Sequence, residues 1–363
     1  MNIKRKLVRG FWILLGAALL GWWVYTSPAR EARAFLSDFN QAPTLDKRAV
    51  FSSYYDSLGP AGILDALEQE FPLCHGQAHD LGKVVYERSQ DLNGSIVTCR
   101  DRCSSGCFHG VLMEAFQDVA VEEPNDEHPP GEEDVHVRLE DLRAKIEQTC
   151  SLDEVTSVHP PGRCAHGLGH ALMFLAEYDI PTALEYCGLF SDRRMEYYCN
   201  GGAFMEYDLI WGRQDFTNGK ALHYPCDTYT EFPAACYFYR MSYLLRIRGG
   251  VDKVAQECLT LPRYSRLGCL RGLGLSQITA LNQTPGQLAK VCSAGDTDDQ
   301  KACIEGAVER WSDFDTPAPR VACQSLTGDE LKQWCEAAAD RGGFKLDKSF
   351  DLIFDPTEPA AGS

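Results

Sequence analysis

Apolar and polar positions divide the chain into one short apolar block near its start and a long succession of helix-sized segments behind it. The block, Phe11 to Tyr25, holds 15 uncharged and mostly apolar residues. A full membrane span prefers about 20 such residues and a signal-peptide core about 7–15, so length alone leaves both open. Trp22, Trp23 and Tyr25 close the block as interfacial aromatics close a span, and the best cleavage candidate, Ser27-Pro28-Ala29, carries a proline. Both features favour an uncleaved transmembrane signal-anchor over 10–25. Lys4, Arg5, Lys6 and Arg9 precede it, so 1–9 reads as a cytoplasmic basic flank and everything after Tyr25 as exported.

Residues 26–58 mix charges with apolar pairs (Phe35-Leu36, Val50-Phe51, Tyr54-Tyr55) and predict one or two juxtamembrane helices that cap the rest of the chain. From 59 to 345, apolar runs such as Ala171-Leu-Met-Phe-Leu-Ala176 have helical character and are punctuated by cysteine. Cys74, Cys107, Cys164, Cys199, Cys236, Cys269, Cys303 and Cys335 stand 33, 57, 35, 37, 33, 34 and 32 residues apart. A period near 34 is that of a two-helix repeat. The long gap holds an acidic, proline-rich insertion at about 119–141, which cannot bury enough apolar surface to order itself. Residues 346–363 read as a flexible tail. The predicted fold is all-α: a solenoid-like stack of disulfide-stapled helical hairpins behind one N-terminal transmembrane helix.

Most remaining cysteines end the run before each loop, so a repeat reads helix, Cys, short loop, Cys, helix. In an exported chain, sixteen cysteines imply disulfides. The spacing pairs Cys150–Cys164, Cys187–Cys199, Cys226–Cys236, Cys258–Cys269, Cys292–Cys303 and Cys323–Cys335. Of the four left, Cys107 fills the second-helix slot and takes Cys99, which leaves Cys74–Cys103. Other pairings of these four, and a redox-active cluster at Cys99, Cys103 and Cys107, stay open on spacing alone. Three places after the second cysteine stands Gly110, Gly167, Gly202, Gly272 or Gly306, with Ala338 in the last repeat and Tyr239 as the exception. Small residues there let helices approach closely.

Composition narrows the partners. The formal net charge is −17, and four positive charges lie in the basic flank, so the exported part stands near −21. Such a surface repels nucleic acid and anionic headgroups. The partners left are the membrane, through 10–25, and an envelope protein or peptide.

Candidate chemistry sits where the early repeats start their second helices. His75-Gly-Gln-Ala-His79 and His166-Gly-Leu-Gly-His170 each place two imidazoles four residues apart on one helix face, and His109 holds the same place between them. Two such rings can ligate one metal ion. Later repeats carry Gly201, Phe238, Arg271, Glu305 and Ala337 in the first slot, and Met205, Ser242, Leu275, Glu309 and Arg341 in the second, so the repeat does not itself require histidine. Asp80, Glu114 and Glu206 are possible further ligands, and Glu114 or Glu206 a candidate catalytic base. Glu305 and Glu309 read as a solvated acidic face. A mixed histidine and carboxylate set suits Zn, Fe, Mn or, when histidine-rich, Cu. No Gly-x-Ser-x-Gly, P-loop or His-Glu-x-x-His is present.

In period and in one disulfide per hairpin, the architecture resembles cysteine-stapled Sel1-like repeat proteins. The Sel1 consensus is absent, so no functional residue carries over. Holding metal on a helical-repeat scaffold is similar in concept to deoxyhypusine hydroxylase, whose His-Glu pairs are missing here. Two functions emerge as expectations: a metal-binding protein or metalloenzyme of the cell envelope, or a rigid solenoid scaffold for an envelope partner, without catalysis.

Overall fold

The computed structural model describes residues 28–43, 46–71, 74–99, 102–117, 139–151, 159–312, 317–342 and 353. The expected anchor and basic flank lie outside them, as do most of the acidic insertion and tail. Among the described residues every regular element is helical. None of those helices is long and apolar enough to cross a membrane.

Two helices open the described chain, α1 (Pro28–Gln41) and α2 (Lys47–Glu70). They meet through Phe35, Phe39 and Phe51, whose ring centroids lie 5.3 to 5.9 Å apart. Gly59, with φ at 68°, breaks α2 just before Pro60, where a proline nitrogen has no hydrogen to donate to the helix.

A row of eight helices comes next: α3 (His75–Ser89), α4 (Gly106–Ala115), α5 (Pro161–Leu175), α6 (Arg193–Ile210), α7 (Pro233–Arg248), α8 (Arg263–Ser276), α9 (Thr297–Trp311) and α10 (Asp329–Arg341). Each packs on the next. Local chemistry sets several of their starts. Asp192 and Asp296 cap α6 and α9 by accepting hydrogen bonds from Arg194 and Asp299 backbone nitrogens, and a proline stands in the first turn of α5 and α7.

Further segments, most of them helical, lie between members of the row, and disulfides tie them to it. Six of the eight bonds are the pairs the spacing gives, and the first four cysteines, open on spacing, join as Cys74–Cys103 and Cys99–Cys107. Seven span 8 to 14 residues and Cys74–Cys103 spans 29. Each short staple stabilises by roughly 2–3 kcal/mol in the chain-entropy account.

The glycines explain how tightly the row packs. In α3/α4, α5/α6 and α8/α9 the contact is reciprocal and backbone to backbone. A Cβ on Gly110, Gly202 or Gly306 would sit 2.0, 1.9 or 1.8 Å from the carbonyl oxygen of His79, His166 or Arg271. One on Gly82, Gly169 or Gly274 would sit 1.9, 2.0 or 2.0 Å from the carbonyl of Cys107, Cys199 or Cys303. This shared crossing defines a register in which His79, His166 and Arg271 are equivalent. The expected equivalence of His75 with His166 is therefore corrected by one helical turn. Cys74 bonds across to Cys103 rather than to a preceding helix, so it does not mark the repeat position.

Gly202→Ala tests the crossing. Its Cβ has no room, and we expect a loss of about 3 kcal/mol or more in urea unfolding. Gly76, with nothing within 4 Å of an added Cβ, is the control. Gly76→Ala should gain roughly 0.5–1 kcal/mol from lost unfolded-state freedom.

Candidate metal centre

The two backbone crossings at His79 and His166 bring their helices' side chains to one place. Metal-capable nitrogens of His75, His79, His109 and His170 all lie within 4.8 Å of one another. All four residues are buried, at 7, 6, 0 and 0% exposure. His79 Nε2 is 3.1 Å from His75 Nε2, and His109 Nδ1 is 3.4 Å from that same atom. Metal–nitrogen bonds near 2 Å place the nitrogens of a tetrahedral ion about 3.3 Å apart. The contacts around His75 already have that spacing, and the 4.8 Å edge would close on binding. His166 stands outside the group of four, but its Nε2 is 3.2 Å from His170 Nε2.

Neighbouring acceptors fix which ring nitrogens carry lone pairs. His75 Nδ1 lies 3.1 Å from the Ser104 carbonyl, and His170 Nδ1 lies 2.9 Å from Glu206 Oε2. A carbonyl or carboxylate only accepts, so each Nδ1 must carry a hydrogen, and it is Nε2 of each ring that is turned to the cluster and offers the ligand atom. Metal-binding histidines are oriented by such partners. Glu206 Oε2 is also 4.0 Å from His79 Nδ1, and the Tyr178 hydroxyl donates to its other oxygen at 3.4 Å. His109 Nε2 is buried with no hydrogen-bond partner among the described residues. An imidazole nitrogen left so is costly unless something else satisfies the ring.

The electrostatics favour neutral ligands. Burial, reinforced by the neighbouring rings, lowers the pKa of His75, His79, His109 and His166 well below 6.5. Burial pushes Glu206 up, yet the hydrogen bond from His170 and the charge of Lys83 hold its carboxyl below 4.5. An anionic Glu206 beside lone-pair nitrogens is a cation's environment.

The other predicted site residues are placed elsewhere. Glu114 pairs with Arg48 at 3.2 Å, and neither it nor Asp80 belongs to the histidine group. Later helices of the row carry a different set of residues in these slots. Glu305 and Glu309 are 0 and 3% exposed, which corrects the solvated acidic face. Arg271 and Arg341 both hydrogen-bond to Glu309 at 2.6 Å, and they lie 3.4 and 3.3 Å from Glu305. Two cations and two anions balance there, whereas at the histidine end Glu206 faces the rings.

Sequence reasoning missed Tyr239, whose hydroxyl lies 3.3 Å from His166 Nδ1 while its ring stacks on the imidazole. Its signal was the break in the glycine pattern after Cys236. Gly201 makes the space: an added Cβ would be 3.2 Å from the Tyr239 ring. Compared with protein-family models, with curated proteins and with solved structures, the chain finds no match in any of the three.

The four depressed histidines make acid stability a test. Unfolded, they take up protons as pH falls through 6.5; folded and metal-free, they stay neutral well below it. The unfolded state then binds more protons, so stability falls with pH at about 1.4 kcal/mol per unit per histidine. The urea midpoint of metal-free protein should drop steeply between pH 7 and 5.5. A flat midpoint over that window would contradict neutral, buried rings.

Proposed function

We propose that this is an exported metalloprotein that holds a divalent transition metal at His75, His79, His109 and His170. In this reading Glu206 and the Ser104 carbonyl orient two of the ligands, and His166 with Tyr239 flanks them. The observation that carries it is the convergence of four buried imidazoles whose nitrogens lie within 4.8 Å of one another. At the other end of the row two guanidinium groups face two carboxylates, whereas here imidazoles face imidazoles. Imidazole ligands suit zinc, copper or iron better than manganese, which prefers oxygen.

Eight disulfides imply an oxidising, extracytoplasmic compartment. We place the chain there on an anchor at 10–25, with the successive hairpins as a solenoid-like scaffold that presets the ligand positions. A purely scaffolding role gives no reason to bury five histidines together.

The test is elemental analysis of the full chain after exposure to Zn, Cu, Fe and Mn. We expect stoichiometric retention of one metal, lost in His75→Ala and His170→Ala and unchanged in His223→Ala, whose ring pairs with Glu257 at 3.1 Å instead. Glu206→Gln keeps every ligand and should weaken affinity by about 10- to 100-fold. An unmutated, disulfide-intact chain that retains no metal would overturn the reading.

A further inference from the structure

A cavity of about 420 Å³ adjoins the cluster, and His75 is part of its wall. That volume falls in the range of small-molecule sites, about 300–1,000 Å³. Met205, Leu209, Phe238, Leu275 and Ile278 supply an apolar lining. Leu209 is 56% exposed, so the cavity opens to the surface at that residue.

The charges in this wall run against the rest of the chain. In a protein of net charge −17, the wall carries Arg246 and Arg310. Its one carboxylate among the described residues, Asp208, accepts a 2.6 Å hydrogen bond from Arg240, itself outside the wall. Arg310 also lines a second, small cavity with His166 and Tyr239, so its residue borders both ends of the histidine cluster. A divalent ion on the imidazoles would add two positive charges beside that guanidinium. The added charge strengthens the attraction for an anion entering the cavity.

We propose that this cavity binds a small organic anion with an apolar body, its carboxylate-type head at Arg310 beside His75 and its body against Phe238, Leu275 and Met205. The charge argument rests on the metal reading above; the apolar wall and the two arginines do not. A guanidinium binds a planar carboxylate through two parallel N–H donors, and apolar walls hold the remainder.

Calorimetric titration of the full chain with 3-phenylpropionate and with its neutral amide tests the proposal, with metal content measured on the same samples. The acid should bind saturably, one per chain, and at least tenfold more tightly than the amide. Arg310→Gln should remove that preference. Leu275→Trp, which fills the cavity, should abolish binding of both while metal is retained. Metal-stripped protein should still prefer the acid, more weakly. Wild-type, metal-loaded protein that binds neither compound, or both equally, overturns the proposal; so does Arg310→Gln that keeps the preference. A chain that binds the acid but never holds metal defeats the metal reading and leaves the anion site standing.

Discussion

The arrangement depends on direct backbone contact between helices at His79 and His166. Those two residues present their carbonyl oxygens to Gly110 and Gly202 at distances no side chain allows. The contact fixes how close α3 comes to α4, and α5 to α6. His109 on α4 then lies between the two histidine pairs, with ring centroids 4.9 Å from His75, 5.2 Å from His166 and 5.3 Å from His170. Disulfides hold each of these helices near its start, so the rings are gathered by the fold and not by a ligand.

The same slots along the row carry two solutions to the problem of burying polar groups. At the α8–α10 end, Arg271, Arg341, Glu305 and Glu309 neutralise one another. At the α3–α6 end, imidazoles face each other at 3.1 to 3.4 Å, close enough for hydrogen bonds between rings. His109 Nε2 is the atom left over. A bound cation would replace those ring-to-ring contacts with bonds to each nitrogen, and Glu206 would then balance part of its charge.

Much of this was legible in the residues. Cysteine spacing paired six of the disulfides, because each closes a loop of 10 to 14 residues and leaves little choice of partner, whereas the first four cysteines allowed more than one pairing. The glycine three places after the cysteine marked the helix crossings, and the histidines' confinement to early repeats marked the chemically distinct end. What could not be read were relations set by tertiary packing. The Cys74–Cys103 bond shifts the first helix by a turn relative to the cysteine period, so His79 rather than His75 matches His166. Glu305 and Glu309 read as exposed because nothing local shows that Arg271 and Arg341 lie on either side. Glu114 shares a repeat position with Glu206, yet Arg48 from α2 reaches it first.

The most direct measurement is a crystal structure of the metal-loaded chain, with anomalous data on both sides of the retained metal's absorption edge. The account predicts one peak enclosed by nitrogens of His75, His79, His109 and His170, each about 2 Å away, with Glu206 still bonded to His170. A peak on the acidic surface, or none while the five rings pack against each other as they do here, would contradict it.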